Sequence, residues 1–319
     1  MTFLLMFIVS FFVSYLITPS IRLVALKFYV LDRKDDRKVH NKVITKLGGI
    51  AIYISFIITL MLGFLLEYDL LKSNVFSLGT ILLGGTIIFI LGVYDDVRGA
   101  DAVIKFSTQI VAAIILIKAG FLINRVVTPF GIIFLGYASV PVTILWIIGI
   151  TNAINLIDGL DGLAAGIVSI VSFGLFAVII YKQSSLLGAV VSISLAGACL
   201  GFLKYNWFPA KIFMGDTGSM FLGFTLAAMA IESSCKSMTT ISLLIPIIAL
   251  GVPIVDTGLA FVRRLSRRRH PFVADNSHIH HWLMRRGFSH FRVVLFLYFL
   301  TFVLTAIAFL FSLYMGVKV

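Results

Sequence analysis

The chain has 319 residues, of which 60% are hydrophobic and only 13% are charged, and its formal net charge is +12. Its mean hydropathy is +1.08. Because soluble domains are about 45–50% apolar and about 25% charged, this composition excludes an ordinary soluble protein, a disulfide scaffold and a disordered chain. The basic residues lie between apolar stretches, which favours the positive-inside bias of membrane proteins over a nucleic-acid partner.

Ten apolar stretches follow one another along the chain, and we interpret them as membrane helices. They cover about 2–26, 44–66, 76–94, 103–121, 139–157, 162–181, 184–203, 217–232, 240–262 and 291–315. We therefore expect an all-α polytopic membrane protein of about 10 transmembrane helices, or 11 at most, in a single integral-membrane domain over residues 1–319.

The charges predict the topology of these helices. Arg22 and Lys27 follow the first stretch instead of preceding it, which differs from a cleavable signal peptide and indicates an outside N-terminus. Ten spans with both termini outside place 20 of the 26 Lys and Arg residues on the cytoplasmic side. The cytoplasmic loops are then about 27–45, 94–105, 151–162, 203–217 and 262–290. Most acidic residues lie in or beside these five loops, so we expect an active-site cleft there.

Two adjacent carboxylates, Asp95 and Asp96, end the third apolar stretch. Ionisable residues are costly at such a position and are often functional. Consecutive helical residues point about 100° apart, so the pair cannot easily share one proton and two different roles are indicated. The alternative is a solvated helix end paired to Arg98 and Lys105.

Polar residues recur every third position at the end of the fifth stretch, as Asn152, Asn155, Asp158 and Asp161. Such oxygen-rich side chains suit a hard cation and the hydrogen bonding of a nucleotide. The spacing excludes an EF-hand loop. A plain junction between two membrane helices is the alternative.

Asp216 precedes Thr-Gly-Ser at the start of the eighth stretch. This position favours one of two roles for Asp216, the N-cap of that helix or a ligand for Mg²⁺. Proteins bind Mg²⁺ through few carboxylates together with substrate phosphates. Asp256 follows Pro253 within the ninth stretch, where it is either a structural hydrogen-bonding group at a kink or a functional acid.

The last cytoplasmic loop combines arginines with histidines. The arginines include Arg268 and Arg269, and the histidines include His278, His280 and His281. Histidine beside arginine suits phosphate binding, whereas the arginines alone fit a topology signal or a lipid-headgroup patch. Lys46, before Gly48-Gly49 in the first loop, also fits polyanion binding.

Together these segments resemble the polyprenyl-phosphate N-acetylhexosamine-1-phosphate transferases, the superfamily of MraY, TagO and WecA, of glycosyltransferase family 4 type. The resemblance covers about residues 32–285 and is carried by five short blocks in the same order. These are Gly48-Gly49, Asp95-Asp96, Asn152–Gly162, Asn206–Ser219 and His278–His281. It implies transfer of a sugar 1-phosphate from a UDP-sugar to a lipid phosphate, with release of UMP and with Mg²⁺, or Mn²⁺ in its place, as cofactor.

The resemblance also implies roles for individual residues. Asp95 resembles the group that deprotonates the lipid phosphate, with Asp96 and Lys105 holding that phosphate. Asp216 resembles the magnesium ligand, which an older two-step scheme made a covalent nucleophile, and Asn155 joins it. The implied nucleotide-binding residues are Asn152, Asn155, Asp158, Asp161, Asn206 and Phe213, with Phe213 stacking on uracil. The implied phosphate and sugar contacts are Lys46, Arg268, Arg269, His278, His280 and His281.

Two departures from the phospho-N-acetylmuramoyl-pentapeptide transferases indicate the N-acetylglucosamine-1-phosphate branch. The segment from Ile44 to Gly49 lacks the Thr-Pro-Thr-Met-Gly-Gly pattern, and Ile279 interrupts the triple histidine. The expected partners are UDP-N-acetylglucosamine, undecaprenyl phosphate and the bilayer of the cytoplasmic membrane, and a homodimer is expected by family analogy. The product would start a teichoic acid, an O-antigen or a similar glycopolymer.

Three alternatives stay open from the sequence. The first is the muramoyl-pentapeptide transferase of the same superfamily. The second is a cation-coupled transporter, which would place its acids in mid-membrane on broken helices. The third is an intramembrane aspartyl protease. Tyr94-Asp95 and Gly215-Asp216 superficially resemble the two motifs of that class, although Phe213 stands where the second motif has a glycine.

Overall fold

The computed structural model describes residues 1–32, 44–66, 72–128, 131–236, 244–266 and 278–316. Within these ranges helices occupy all ten of the apolar stretches. They are α1 (Thr2–Lys27), α2 (Gly49–Leu66), α3 (Val75–Arg98), α4 (Ala102–Lys118), α5 (Ser139–Ile157), α6 (Leu163–Lys182), α7 (Leu186–Asn206), α8 (Gly215–Lys236), α9 (Leu244–Ala249), α10 (Gly251–Ser266), α11 (Ile279–Arg285) and α12 (His290–Gly316).

Seven of the described helical segments are long and apolar enough to cross a bilayer. They are α1, α2, α3, α6, α7, the segment Gly136–Ile157 that contains α5, and the part of α12 from His290 to Tyr314. The protein is therefore a mostly helical, multi-pass membrane protein. The total of ten spans and the outside location of both termini stay predictions.

The sequence analysis expected the ninth apolar stretch to form one continuous helix, but the structure shows two helices there. The stretch is divided at Leu250 into α9 and α10. Proline has no backbone N–H, so Pro253 cannot donate to the carbonyl of Ala249, four residues earlier, and the helical ladder loses a bond at this point.

A short antiparallel hairpin lies between α4 and α5, where the sequence analysis predicted only a loop. Its strands are β1 (Arg125–Thr128) and β2 (Gly131–Phe134), paired from Arg125 opposite Phe134. β-branched residues such as Val126 favour the extended conformation. The hairpin follows the end of α4 that is distant from Lys105, so it does not contribute to the candidate site.

Helix α8 is the centre of the bundle. It packs against α2, α3, α5, α6 and α7. Large side chains along it, such as Phe221 and Phe224, are fully buried. Helices α1 and α12 lie at the periphery and expose Phe12 and Phe299, as expected for surfaces that face lipid acyl chains.

Glycines allow the neighbouring helices to approach α8 closely. A Cβ added at Gly92 of α3 would lie 2.5 Å from the Cα of Thr217, and one added at Gly223 would lie 2.7 Å from the Cα of Thr151 on α5. Small residues at helix interfaces are the usual way for membrane helices to pack. These contacts fix the end of α3, with Asp95 and Asp96, against the start of α8.

We expect Gly92→Ala to destabilise the protein, because the added methyl group must displace the backbone of α8. Overpacking of this kind costs about 1–3 kcal/mol. The matched control is Gly79→Ala on the same helix, where an added Cβ meets nothing within 4 Å. Thermal unfolding in detergent measures both variants, and a Gly92→Ala midpoint equal to that of the control would contradict the packing described here.

Candidate active site

Lys105 joins the acids of two helices. Its Nζ lies 2.7 Å from Oδ2 of Asp95, at the end of α3, and 2.7 Å from Oδ2 of Asp216, in the first turn of α8. The three side chains remain between 13% and 26% exposed. Asp95 is also held by the backbone, because the N–H of Ala100 donates to its Oδ1 at 2.6 Å. The sequence analysis placed these three residues in one site, and the structure brings them together.

Asp96 has a different environment from Asp95 and caps α8 from another helix. The backbone N–H groups of Asp216 and Thr217 donate to its carboxylate at 3.1 and 2.9 Å, and the Thr217 hydroxyl donates to it at 2.6 Å. A carboxylate at a helix N-terminus satisfies unpaired N–H groups and the helix dipole. Asp96 therefore performs the capping that the sequence analysis considered for Asp216, and the capping interpretation of Asp216 is wrong.

Gly215 allows Asp96 to reach the helix start. Its φ is +72°, in the left-handed region that favours glycine. A Cβ at this position would also meet the Asp96 carboxylate, 2.8 Å from its Cγ. The Gly-Asp-Thr sequence is thus explained by the turn at the start of α8, where glycine leaves room for the Asp96 carboxylate and the next two backbone N–H groups donate to it.

Asn155, near the end of α5, contacts the start of α8. Its Nδ2 donates to Oγ of Ser219 at 2.9 Å, and this hydroxyl donates to the carbonyl of Gly215 at 2.9 Å. Asn155 is also within hydrogen-bonding reach of the Asp216 carboxylate. The predicted metal pair, Asp216 and Asn155, is therefore adjacent in the structure.

Asp158 lies half-buried just beyond the end of α5. Its pKa is raised well above the usual range, first by burial and then by the negative charges of Asp216 and Asp96, while Lys46 acts in the opposite direction. Asp158, just beyond α5, therefore lies close enough to Asp96 of α3 and Asp216 of α8 for their negative charges to interact, as a cluster of acids. A bound cation would stabilise such a cluster.

Asp161 and His290 brace the loop after α5 from behind. Asp161 is 3% exposed, and its Oδ2 accepts the N–H of Ala210 at 2.8 Å. Its own N–H donates to Nε2 of His290 at 3.1 Å, and the His290 ring stacks on Phe208 at 4.4 Å. Asp161 thus ties two loops together. His290 was not among the predicted site residues, although its position near the other histidines was a usable signal.

Asn206 has a similar bracing role. Its Oδ1 accepts the N–H of Gly162 at 3.1 Å, and its Nδ2 donates to the carbonyl of Ile212 at 3.0 Å. The residue is only 2% exposed. Both ends of the amide therefore connect the loop after α5 to the loop before α8, and direct contact with a nucleotide stays a prediction.

Phe213 and Lys46 lie on neighbouring short segments. The N–H of Phe213 donates to the carbonyl of Thr45 at 2.8 Å, and the N–H of Gly48 donates back to the carbonyl of Phe213 at 2.9 Å. Lys46 forms an ion pair with Asp32 at 3.3 Å and is 30% exposed. The first and fourth predicted loops therefore meet, with a half-buried aromatic ring and a lysine at their junction.

His280 connects residues 278–281 to the loop of Asp158. It is 1% exposed, and a Cβ at Gly159 would lie 2.5 Å from its Nε2. Burial, followed by the charge of His281, lowers the pKa of His280 to about 3, so its ring is neutral at physiological pH. The rings of His280 and His281 lie 4.3 Å apart. Arg268 and Arg269 lie outside the described residues.

Asn152 forms hydrogen bonds with α4 and with its own helix. Its Nδ2 donates to Oε1 of Gln109 at 2.7 Å and to the carbonyl of Ile148 at 2.8 Å. Gln109 is fully buried on α4 and was not predicted, although a lone amide in an apolar helix is itself a signal of an interhelical hydrogen bond. A nucleotide-binding role for Asn152 stays a prediction.

The donor set fits an open magnesium site and does not form a closed one. Among the described residues, no group of three or more His, Cys, Asp or Glu side chains is arranged to hold a metal ion alone. Mg²⁺ usually keeps several waters and binds through one or two carboxylates together with substrate phosphates. Asp216 and Asp95 supply carboxylate oxygens, whereas Asn155 directs its amide nitrogen at Ser219 and would need to turn its amide to offer an oxygen.

These features define a multi-pass membrane protein in which acids, lysines and histidines meet at one end of the helix bundle. The model of glycosyl transferase family 4 matches residues 78–234. The chain is also 39% identical over 302 residues to the probable undecaprenyl-phosphate N-acetylglucosaminyl 1-phosphate transferase of Bacillus subtilis (strain 168), covering 93% of this chain and 81% of that protein. The chain belongs to glycosyl transferase family 4.

Two further relatives represent both branches of the resemblance. The decaprenyl-phosphate N-acetylglucosaminephosphotransferase of Mycolicibacterium smegmatis is 34% identical, covering 90% of this chain and 76% of that protein. The phospho-N-acetylmuramoyl-pentapeptide-transferase of Halalkalibacterium halodurans is 31% identical, covering 92% of this chain and 91% of that protein. Membership of a transferase family replaces the transporter and protease interpretations.

We expect Asp96→Ala to lower the stability of the protein more than Asp96→Asn does. Alanine removes the cap of α8, which is worth about 0.5–2 kcal/mol, whereas asparagine is a good capping residue and keeps an acceptor oxygen. Thermal unfolding of the two purified variants provides the comparison. Equal midpoints would show that the hydrogen bonds to Asp96 do not hold the start of α8.

Proposed function

We propose that the protein transfers N-acetylglucosamine 1-phosphate from UDP-N-acetylglucosamine to undecaprenyl phosphate at the cytoplasmic face of the inner membrane. The products are polyprenyl-diphosphate N-acetylglucosamine and UMP. The observation that carries this proposal is the Lys105 ammonium held between the carboxylates of Asp95 and Asp216. Relatives with N-acetylglucosamine-1-phosphate transferase names support the same reaction.

The acceptor side of the reaction uses Asp95 and Lys105. Lys105 is placed to attract the lipid phosphate, and Asp95 takes up the proton of that phosphate before attack. An oxygen of the lipid phosphate then bonds to the phosphorus that carries the sugar. The bond from this phosphorus to the bridging oxygen breaks, and UMP leaves with the bonding electrons.

Both substrates are anionic, and the site must offset their repulsion. When bound, Mg²⁺, or Mn²⁺ in its place, would be held by Asp216 and Asn155 and would supply charge neutralisation for the pyrophosphate of the donor. Asp96 keeps the first turn of α8 in place, so that Asp216 faces Lys105. We favour direct attack by the lipid phosphate, because Asp95 is available to take up its proton and Asp216 is assigned to the metal ion.

The donor side is built from the loops around Asp158. Phe213 stacks its ring on uracil, and Asp158 forms a hydrogen bond with the nucleoside. The positive charge of Lys46 attracts the phosphates. His280 and His281 are proposed to contact the pyrophosphate and sugar, together with Arg268 and Arg269. Asp161 and Asn206 hold these loops in position, as their hydrogen bonds indicate.

The chemistry of the proposed reaction also supports a location for the protein. A polyprenyl acceptor stays in the bilayer, while a UDP-sugar is soluble, so a site at the membrane boundary serves both. We propose the cytoplasmic side of the inner membrane, where the reaction would begin a cell-wall or surface glycopolymer such as teichoic acid or O-antigen. A homodimer remains an expectation by family analogy.

The decisive experiment measures UMP release by the purified protein in detergent, with polyprenyl phosphate, Mg²⁺ and one of two donors. Release that depends on lipid and Mg²⁺ with UDP-N-acetylglucosamine alone supports the proposal. Release only with UDP-N-acetylmuramoyl-pentapeptide would move the protein to the muramoyl-pentapeptide branch. No release with either donor from folded protein would overturn the proposed function.

We expect Asp95→Asn and Asp216→Asn to reduce turnover at least about 100-fold, because general-base catalysis and charge stabilisation each contribute on this scale. Asp101→Asn is the matched control, since Asp101 is an exposed acid just before α4 and its side chain makes no capping hydrogen bond. UMP release and thermal unfolding are measured for all three variants. Near-normal, Mg²⁺-dependent turnover by Asp216→Asn would contradict the metal assignment.

We expect Phe213→Ala to raise KM for UDP-N-acetylglucosamine while leaving KM for the lipid phosphate unchanged. Stacking of a base on an aromatic ring is worth about 1–3 kcal/mol, which corresponds to about 5- to 150-fold. Phe134→Ala, in the exposed part of β2, is the control. An unchanged KM for the donor would remove Phe213 from the uracil site.

A further inference from the structure

Asp256 is a buried carboxylate that the proposed reaction does not use. It lies on α10 and is 2% exposed. Its Oδ2 lies 2.9 Å from Nδ1 of His278, and its Oδ1 accepts the backbone N–H of Ile279 at 2.7 Å. Both oxygens are therefore directed at the first two residues of the histidine segment, which we define as residues 278–281.

These contacts hold the histidine segment from behind. An ionised carboxylate only accepts hydrogen bonds, so Nδ1 of His278 carries the proton that faces Asp256. The bond to Ile279 satisfies one of the unpaired N–H groups at the start of α11. His278 is itself only 4% exposed, so its ring is packed inside the protein. Asp256 thus fixes both the orientation of His278 and the first turn of α11.

The next residues of the segment depend on this anchor. The rings of His278 and His280 are parallel within 7°, at a centroid distance of 5.8 Å, and His280 in turn contacts His281. Nε2 of the buried His280 has no hydrogen-bond partner within the described protein and lies against Gly159, next to Asp158. A rotation of the His278 ring would therefore displace His280, which lies beside the loop of Asp158 on the donor side of the site.

We propose that Asp256 is a positioning residue for the donor substrate: through His278 and Ile279 it holds His280 and His281 in the geometry that receives the pyrophosphate and sugar. This inference rests on the proposed function. His278 accordingly serves as the link to Asp256, which differs from the phosphate contact that the family resemblance implied. Asp256 itself does not touch the substrate.

The test compares Asp256→Ala and Asp256→Asn with Thr257→Val. Alanine removes both acceptors, and asparagine keeps one. Thr257 is the matched control, because it is the next residue on α10 and its buried hydroxyl has no partner within the described residues. We expect Asp256→Ala to raise KM for UDP-N-acetylglucosamine about 10-fold or more, Asp256→Asn to raise it less, and Thr257→Val to leave it unchanged. KM for polyprenyl phosphate should stay the same in all three.

A double-mutant cycle with His280→Ala separates positioning from general destabilisation. If Asp256 acts through the histidine segment, Asp256→Ala adds little to the effect of His280→Ala on the donor KM. Additive effects, equal changes in both KM values, or a lowered unfolding midpoint without a change in donor KM would each overturn the inference.

Hydrogen–deuterium exchange distinguishes failure of this inference from failure of the proposed function. Faster exchange of the amides at 278–285 in Asp256→Ala, with unchanged exchange in Thr257→Val, supports the anchoring contact even if the wild-type protein transfers no N-acetylglucosamine. Equal exchange in the two variants overturns the inference. Absence of UMP release by the wild-type protein concerns the proposed function alone.

Discussion

The capping of α8 by Asp96 is the interaction on which the rest of the site depends. Helix α8 is the centre of the bundle, and its first turn carries Asp216. Three hydrogen bonds from the start of α8 to Asp96 fix where α3 ends relative to that turn. Asp95, the preceding residue on α3, is thereby brought to Lys105. Because Gly92 permits close contact one turn earlier, packing and electrostatics specify the same arrangement.

The site concentrates negative charge that would be unfavourable without partners. Buried carboxylates are stable when they are hydrogen-bonded or paired with cations. Asp96 and Asp256 meet this condition through backbone N–H groups at helix starts, and Asp95 and Asp216 share Lys105. Asp158 is least compensated, as its raised pKa indicates. This concentration of negative charge is the physical reason for the proposal that a divalent cation binds here and offsets the charges of the anionic substrates.

The sequence predicted the helices well, because an apolar stretch of about 20 residues has few other uses. It also placed Asp95, Lys105 and Asp216 in one site, where the structure brings them together, since charged residues among apolar ones are rarely accidental. It did not separate contacting groups from bracing groups such as Asn206, because that distinction depends on hydrogen bonds between loops far apart in the chain. The capping by Asp96 was missed for the same reason, and the break at Leu250 because the apolar pattern continues across it.

The separation of Asp96 from its partners along the chain has a consequence for biogenesis. Asp96 and the backbone of Asp216 are 120 residues apart. During synthesis the acidic end of α3 reaches the membrane long before α8 exists, so its carboxylates must stay in contact with water or headgroups until α8 inserts. The arrival of α8 then converts an exposed acidic helix end into a capped and packed one. Insertion of the eighth apolar stretch is therefore the step that brings Asp96 to Asp216 and Thr217.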